Sequence, residues 1–546
     1  MGKMRKINKR VFVLLGIDFL IVLCMLGWIK YRSGSGGTIV FEQESLTLNR
    51  ALEENGNTVY SSEAGNYVDD SYEGENRFIE SPSFELGRGI YEISVTYESL
   101  YGTGMASANR VENTGWHSLY SDNVPLQSGE NELSFRIYSN HAPQKVFVRL
   151  AFPNEDRGDY LLVRNITIRP ESVSVAACAV ITGIVLFLTD ICVIMFVRKK
   201  KQISGKLCFS LGVVTFIACY PLFTDYLLWG DDLSFQLMRI EGIADGLSAG
   251  MFPVKIQPSW CDGNGYAVGV MYGDIFLYLP AVLRLAGVTV QGAYRIYVCL
   301  INLLTVIISF LCFTGISGSR KTGLMGCALY TLALYRLTDV YTRAAVGEYT
   351  AMSFYPLILY GLYLVYREKD QKKAVAILAI GGTGLIQSHI LSCEMACFFI
   401  VIVSVLLWKK SIRREVWMTY LKTVSVILLL NLWFIVPFLD YFITMPLAVK
   451  DLDEYIQSNG VTLAKLFSFS PLAPNGVDGG SDYRLALTIG PVFLIVLTIF
   501  VLNWWRKDKN AGSYWIFLCG STAVPEERIP PVQRQETAVP EQRYRT

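Results

Sequence analysis

The order of hydrophobic and polar residues divides the chain into a segment that alternates with period two and a series of long apolar runs. In the 91–97 stretch every second residue is apolar, so the apolar side chains fall on one side of an extended strand. The same alternation recurs at 133–137 and 146–150, between turns rich in Gly, Asn and Pro. The pattern predicts an antiparallel β-sandwich, similar to a jelly roll, over residues 33–172.

Apolar runs of membrane-spanning length occupy most of the remaining chain. A run of about 20 apolar residues crosses the ~30 Å hydrocarbon core of a bilayer as a helix. We therefore expect a polytopic α-helical membrane protein with about 10–11 transmembrane helices, an anchor within 1–32 and a main membrane domain over 173–520. The predicted spans lie near 11–29, 176–197, 207–223, 293–314, 323–335, 350–366, 374–387, 393–408, 423–437 and 489–501.

Clusters of Lys and Arg predict the orientation of these spans. Cytoplasmic loops carry an excess of both residues, and five of the first ten residues are Lys or Arg. We therefore place the N-terminus inside the cell membrane and the sandwich outside. For Arg320 and Lys321 to be inside as well, the 275–286 run cannot cross and should lie along the outer interface as a short helix. Residues 224–290 then form an outer loop.

The composition supports this division. Of the 546 residues, 52% are hydrophobic, which is too apolar for a soluble globular protein. The net charge of +2 hides an asymmetry, because residues 31–173 hold 21 acidic and 11 basic residues, a balance of −10. None of the 12 cysteines lies in that acidic segment, so it has no disulfide framework. The basic residues border apolar runs and form no exposed stripe, which excludes a nucleic-acid-binding surface.

Two short segments have a distinctive composition. The Ser-Gly-Ser-Gly-Gly sequence at 33–37 is typical of a flexible linker. The tail at 521–546 is rich in Pro, Glu and Arg and is predicted to be disordered; its abrupt change of composition suggests a truncated or frame-shifted end.

The sandwich contains three aromatic residues that are candidates for stacking on sugar rings: Trp116, Tyr120 and Tyr138. The alternative is that they are ordinary core or surface aromatics.

The outer loop is unusually rich in carboxylates. Acidic groups beside a bilayer are costly and usually functional, and Asp231 and Asp232 follow one another directly after Gly230. Such a carboxylate suits a general base, or a ligand of a hard divalent cation such as Mg²⁺ or Mn²⁺. The need for a metal stays open, with these two residues as its candidates. The alternative is that the tandem Asp residues form only a solvated turn or cap the following helix.

Other polar residues are predicted on the same outer side. The planar guanidinium of Arg343, with its several N–H donors, suits a phosphate. A carboxylate base and this cation facing one cleft would therefore suit sugar transfer from a lipid phosphate. The candidate substrate-binding residues are Asp225, Arg239, Arg343, Glu348 and His389. Two structural alternatives stay open: Arg343 and Glu348 form only an ion pair, and Arg239 and Lys255 anchor the loop at the interface.

Together these motifs resemble those of YfhO-like bacterial membrane proteins, which overlap the family named "6-pyruvoyl-tetrahydropterin synthase-related". The resemblance covers roughly residues 207–501 and keeps the order of the motifs. Its sequence elements are GDDLSFQLMRIEGI from 230, GMFP from 250, GNGY from 263, YLPA from 278, RAAVGE from 343, SHI from 388 and WFIVP from 433.

The resemblance implies an inverting glycosyltransferase of the GT-C type. Such a protein has a multi-helix core, a catalytic acidic residue in its first outer loop, and a polyprenyl-phosphate sugar as donor. On this chain Asp232 or Asp231 would be the general base, and the acceptor would be a glycan, lipid or protein of the cell envelope. The family often has His after the Phe of this motif, whereas this chain has Gln236, so binding of acceptor or phosphate would differ here.

Two hypotheses from other classes stay open. Charged residues in a membrane protein also fit a transporter or lipid flippase, although the sequence shows no inverted repeat. The third hypothesis is a catalytically silent envelope assembly protein whose sandwich binds glycan.

Overall fold

The structure is a computed structural model that combines a β-sandwich with a set of helices. It describes residues 2–54, 57–64, 67–69, 76–102, 104–110, 124–139, 144–152, 160–198, 205–224, 227–228, 230–258, 260–261, 264–367, 370–447, 472–474, 483–485, 495 and 498. The predicted disordered tail at 521–546 and most of the predicted span at 489–501 lie outside these residues.

Strands fill the segment in which apolar and polar residues alternate. Their bounds are β1 (Ile39–Glu42), β2 (Thr47–Glu54), β3 (Asn57–Ala64), β4 (Tyr67–Asp69), β5 (Asn76–Glu80), β6 (Phe84–Leu86), β7 (Gly89–Ser99), β8 (Met105–Arg110), β9 (Val124–Pro125), β10 (Gly129–Ser139), β11 (Gln144–Phe152) and β12 (Tyr160–Glu171). Two further short strands, β13 (Leu472–Pro474) and β14 (Tyr483–Leu485), pair with each other.

Two antiparallel sheets enclose one hydrophobic core. One sheet has the order β1-β12-β7-β10, with β4 beside β12, and the other has β3-β2-β5-β11-β8-β9, with β6 beside β11. The alternating residues of β7 predicted to face one side, Tyr91, Ile93, Val95 and Tyr97, are all buried in this core. Each such side chain stabilises the fold by about 1.5–3 kcal/mol relative to exposure. The predicted antiparallel sandwich is confirmed.

Helices form the described chain outside the sandwich. They are α1 (Gly2–Arg32), α2 (Val175–Arg198), α3 (Gly205–Cys219), α4 (Leu233–Ser248), α5 (Val268–Met271), α6 (Tyr278–Leu285), α7 (Val290–Ser317), α8 (Arg320–Thr331), α9 (Leu334–Thr338), α10 (Val346–Met352), α11 (Tyr355–Arg367), α12 (Gln371–Ile386), α13 (Ile390–Leu406), α14 (Trp408–Ser411) and α15 (Arg414–Thr444). A π-helical turn, Asp339–Arg343, lies between α9 and α10.

Three helical segments in the described part of the chain are long and apolar enough to cross a membrane. They are Gly205–Leu222, Val290–Ser317 and Arg414–Thr444. Val175–Leu186 and Ile390–Leu406 are apolar but shorter. The helix found at the predicted span 323–335, α8, has 12 residues and is only about 18 Å long. The larger count of 10–11 spans therefore stays a prediction.

Two helix bounds bear on the predicted outer surface. α6 has eight residues, about 12 Å, which is shorter than the ~30 Å hydrocarbon core. The placement of the 275–286 run along the outer interface stays a prediction. By contrast, α15 continues through Pro437 to Thr444, so the prediction that a span ends at this proline is wrong. A proline removes one backbone hydrogen bond. Three stacked rings at four-residue spacing support the helix before and after Pro437. The ring centroids are 6.0 Å apart between Phe434 and Phe438 and 5.8 Å apart between Phe438 and Phe442.

The predicted flexible linker at 33–37 contains a tightly packed glycine. The amide of Gly34 donates to the carbonyl of Glu171 at 2.7 Å, and a side chain at Gly34 would collide with the carbonyl of Ile90. Gly89 has φ +132°, and a Cβ there would lie 2.5 Å from the Cα of Gly34. The prediction of flexibility is wrong at Gly34, because this glycine lets the chain leaving α1 cross closely over β7 and β12.

The sandwich is joined to α1, α2 and α6 by a buried apolar cluster that includes Ile90, Val173 and Ala286. Tyr138 packs against this cluster, and the guanidinium carbon of Arg284 lies 4.0 Å from its ring centroid. Tyr138 therefore belongs to this joint, which favours its structural interpretation over sugar stacking. The other two candidate aromatics, at 116 and 120, lie outside the described residues.

Candidate active site

Asp231 and Asp232 lie directly before α4, against the chain that enters α10. The amide of Asp231 donates to the carbonyl of Thr342 at 3.2 Å, and the amide of Asp232 donates to the carbonyl of Arg343 at 2.8 Å. These bonds join two segments that are about 110 residues apart in the sequence. The predicted base and the predicted phosphate-binding cation are thus neighbours.

The segment that receives these bonds has an unusual backbone. Residues Asp339–Arg343 form a π-helical turn, and Ala344 follows with φ +55°, in the left-handed region that residues with a side chain rarely adopt. Gly230 packs against it so closely that a Cβ there would lie 2.7 Å from the Cβ of Ala344. Such backbone outliers cluster at functional sites, where the surrounding structure holds them in place.

Capping does not account for the carboxylate of Asp232. The residue occupies the N-cap position of α4, yet its side chain accepts no hydrogen bond from the helix and is exposed. Partial burial by the surrounding protein raises the pKa of Asp232, an effect that Arg343 opposes and that Asp231 and Glu348 reinforce. A raised pKa strengthens this carboxylate as a proton acceptor.

Two carboxylates hold Arg343. Its Nη1 donates to Oδ1 of Asp339 at 2.6 Å and to Oε2 of Glu348 at 2.8 Å, and the hydroxyl of Tyr335 donates to the other oxygen of Glu348. The ion pair foreseen as a structural alternative is therefore present. However, 27% of the Arg343 side chain remains exposed, so the ion pairs do not bury this residue completely.

Asp339 is absent from the sequence-based predictions. Its side chain is fully buried, and its Oδ2 has no hydrogen-bond partner among the described residues. Burial raises the pKa of Asp339 to about 8, with Glu348 adding to the effect and Arg343 opposing it. The available signal was a carboxylate four residues before Arg343, and so on the same face of a helical turn.

We expect the Asp339→Asn substitution to flatten the pH dependence of stability. Since the pKa of Asp339 is raised from 3.8 to about 8, the native state binds more protons than the unfolded state between these values. The wild type therefore loses stability as the pH rises through this window, by at most about 1.4 kcal/mol per pH unit from this group. Asn mimics the protonated acid and removes that contribution.

Thermal unfolding of purified protein between pH 4 and 9 measures the effect. Glu394→Gln, which removes an exposed carboxylate of α13, is the matched control. Equal slopes for wild type and Asp339→Asn would contradict a buried, protonated Asp339.

His389 adjoins the Glu348 side of the site. Its Nδ1 lies 2.8 Å from Oγ of Ser392, and burial lowers the pKa of His389, which favours the neutral ring at pH 7. Gly347 is the point of closest approach, because a Cβ there would lie 2.8 Å from the carbonyl of Ser388 and 3.3 Å from the His389 ring. This contact brings the start of α13 against the start of α10.

Arg239 is a buried residue of α4, about two helical turns after Asp232. It forms an ion pair with Asp274, and its Nη1 donates to Oε1 of Gln236 at 3.0 Å. The Arg239 and Asp274 side chains are only 2% and 4% exposed, so a substrate has no access to this guanidinium in this conformation. Gln236, which stands where the family often has His, thus hydrogen-bonds to the buried ion pair in this chain.

Lys255, in the 224–290 segment, contacts α5 and α15. Its ammonium group donates to the carbonyl of Gly269 at 3.3 Å and lies 4.5 Å from the ring centroid of Trp433 in α15.

The described residues provide no evident metal site. Among them, no group of three or more His, Cys, Asp or Glu side chains could hold a metal ion. Asp225, another predicted substrate-binding residue, lies outside the described part. Asp231 and Asp232 alone do not make a ligand set for Mg²⁺ or Mn²⁺, so no reaction step is derived through a metal.

The β-sheet domain of this chain is similar to solved structures of carbohydrate-binding modules. No protein-family model matches the chain, and no curated protein matches it. Among solved structures, the C-terminal CBM6 of LamC, a marine laminarinase from Zobellia galactanivorans, is 18% identical; the match covers 24% of this chain and 99% of that one, with a TM-score of 0.16. A family 35 carbohydrate binding module from Clostridium thermocellum is 13% identical, with 24% and 98% covered and a TM-score of 0.16. At these values the likeness assigns no ligand to this chain.

Proposed function

We propose that this chain is a membrane glycosyltransferase, similar to the GT-C type and to YfhO-like proteins. It would transfer a sugar from a polyprenyl-phosphate donor to a cell-envelope acceptor at the outer face of the membrane. The observation that supports the proposal is the 2.8 Å hydrogen bond from the amide of Asp232 to the carbonyl of Arg343, which holds the segments that carry these two residues side by side. A proton acceptor next to a cation is the minimum that such a transfer needs.

In the proposed reaction, Asp232 accepts the proton of the acceptor hydroxyl while the oxygen bonds to the anomeric carbon of the donor. The bond between the anomeric carbon and the phosphate oxygen breaks, and its electron pair leaves with the lipid phosphate. The exposed part of Arg343 neutralises the charge that develops there. Attack opposite the leaving phosphate inverts the configuration of the sugar. Asp231 is the alternative base.

The carboxyl groups that contact Arg343 improve this arrangement. Asp339 and Glu348 hold one nitrogen of Arg343, so the cation is positioned before the donor binds. Because burial raises the pKa of Asp339 to about 8, this group stays mostly protonated at pH 7 and adds little negative charge beside the departing phosphate.

Labelled donors test the proposal directly. Membranes that contain the wild type, incubated with labelled polyprenyl-phosphate hexoses, are expected to form a labelled product. The Asp231→Asn/Asp232→Asn double variant, present in equal amount, is expected to form none. Full activity of the double variant would refute the proposal. Movement of labelled lipid across the bilayer without transfer would favour a flippase, and glycan binding without turnover would favour an assembly protein.

A further inference from the structure

Four aromatic side chains form a continuous group that begins in the first turn of α4. The rings of Trp260 and Tyr266 are stacked, with centroids 5.3 Å apart and planes inclined by 21°. Phe235 contacts Trp260 edge-on at 5.6 Å and Tyr272 at 5.9 Å. Tyr266 is 48% exposed and Tyr272 is 40% exposed. We refer to Phe235, Trp260, Tyr266 and Tyr272 as the aromatic platform.

The platform begins within one helical turn of the predicted base. Phe235 follows Asp232 by three positions, and residues at this spacing on a helix have Cβ atoms about 5–6 Å apart. Below Phe235 and Tyr272 lies the buried Arg239, whose guanidinium carbon is 4.8 Å from the Tyr272 ring centroid. The buried ion pair of Arg239 therefore supports the platform from beneath.

Backbone hydrogen bonds fix the loop that carries the stacked pair. The amide of Gln257 donates to the carbonyl of Tyr266 at 2.9 Å, and the amide of Tyr266 donates back to Gln257 at 3.0 Å. Gly265 turns the chain with φ +84°, and its amide donates to the carbonyl of Trp260 at 2.9 Å. The two rings are thus held in place in the absence of a ligand, which lowers the entropic cost of binding one.

We propose that the aromatic platform is the acceptor site and that the acceptor is a carbohydrate. A pyranose ring has one face of C–H groups, which suits the electron-rich face of Tyr or Trp, and hydroxyl groups at its edge. Stacking on the platform would bring those hydroxyls towards Asp231 and Asp232, where one of them loses its proton. This inference rests on the proposed function and narrows its acceptor to a glycan, excluding a protein or an unglycosylated lipid.

The competing explanation is that these rings anchor the loop at the membrane interface, as Trp and Tyr often do. Phe223, which is 66% exposed and stacks on Phe216 of α3, is an aromatic residue outside the platform. The platform differs from it in its hydrogen-bonded loop and in its contact with the helix that follows Asp232. These two features favour a glycan.

Binding of soluble oligosaccharides, measured apart from turnover, tests the inference. Purified full-length protein in nanodiscs is titrated calorimetrically with tetrasaccharides of hexoses and of N-acetylhexosamines. The wild type is expected to bind at least one of them, and Trp260→Ala and Tyr266→Ala are expected to bind about tenfold more weakly or worse. Trp260→Phe retains an aromatic face and is expected to keep most of the affinity. Phe223→Ala is the matched control and should bind as the wild type does.

The outcomes separate this inference from the proposed function. Asp232→Asn is expected to lose transfer but keep oligosaccharide binding. Binding to no tetrasaccharide, or equal binding by wild type and both alanine variants, would overturn the platform while leaving the glycosyltransferase proposal standing. If the alanine variants only weaken association with lipid vesicles, the membrane explanation replaces the glycan site. Intact, platform-dependent binding without any transfer would support the site and overturn the proposed function.

Discussion

The Asp232→Asn substitution is expected to lower the rate of sugar transfer by a factor of about 10²–10⁴, the usual contribution of a general base. Asn has nearly the same shape but cannot accept the proton of the attacking hydroxyl. The amide of residue 232 would still donate to the carbonyl of Arg343, so the backbone contact between the two segments is retained. We expect the loss to fall on the rate constant rather than on donor affinity, because the base acts in the transition state.

Asp231→Asn is the matched control for this experiment. It removes the adjacent exposed carboxylate, whose amide is bonded to Thr342 instead of Arg343. Initial rates with a labelled polyprenyl-phosphate sugar, together with melting temperatures of all three proteins, identify the base. A larger loss for Asp231→Asn than for Asp232→Asn would transfer the role to Asp231. Unchanged rates in both single variants would contradict the assignment of either residue.

The Asp274→Ala substitution is expected to destabilise the protein by about 3–5 kcal/mol, because it leaves the buried charge of Arg239 without its partner. With Arg239 2% exposed and Asp274 4% exposed, water cannot easily replace the lost carboxylate. Gln236 supplies one neutral acceptor at 3.0 Å, which is too little to compensate a full charge. The loop around Asp274 also carries Tyr272, so the aromatic platform should loosen in the same variant.

An exposed ion pair and a double variant serve as controls. Arg164→Ala removes a partner of Glu98 on the sandwich, where the Arg164 side chain is 45% exposed, and should cost only about 0–1 kcal/mol. Arg239→Met/Asp274→Leu replaces both buried charges by apolar groups and should recover most of the lost stability. Denaturant unfolding in detergent measures all three. A cost for Asp274→Ala no larger than that for Arg164→Ala would show that this ion pair is not buried in the native protein.

The sequence by itself determined the features that depend on local periodicity. Alternation along β7 was enough to predict the sandwich, since a strand with one buried face repeats every two residues. The 275–286 run, which contains α6, is predicted not to cross the bilayer because Arg320 and Lys321 must be inside, and its short apolar length allows this. Asp231 and Asp232 stood out because carboxylates are costly beside an apolar segment.

Only the tertiary structure decided how each charged side chain is used. Three ionisable residues near apolar helices show this. Asp231 is exposed, whereas Arg239 forms a buried ion pair with Asp274. Asp339 is buried, and its pKa is raised to about 8. The aromatic platform likewise combines rings from residue 235 and from residue 260 onward, which meet only after the loop folds back on α4. Burial and pairing arise between segments distant in the chain, and no local pattern encodes which segments meet.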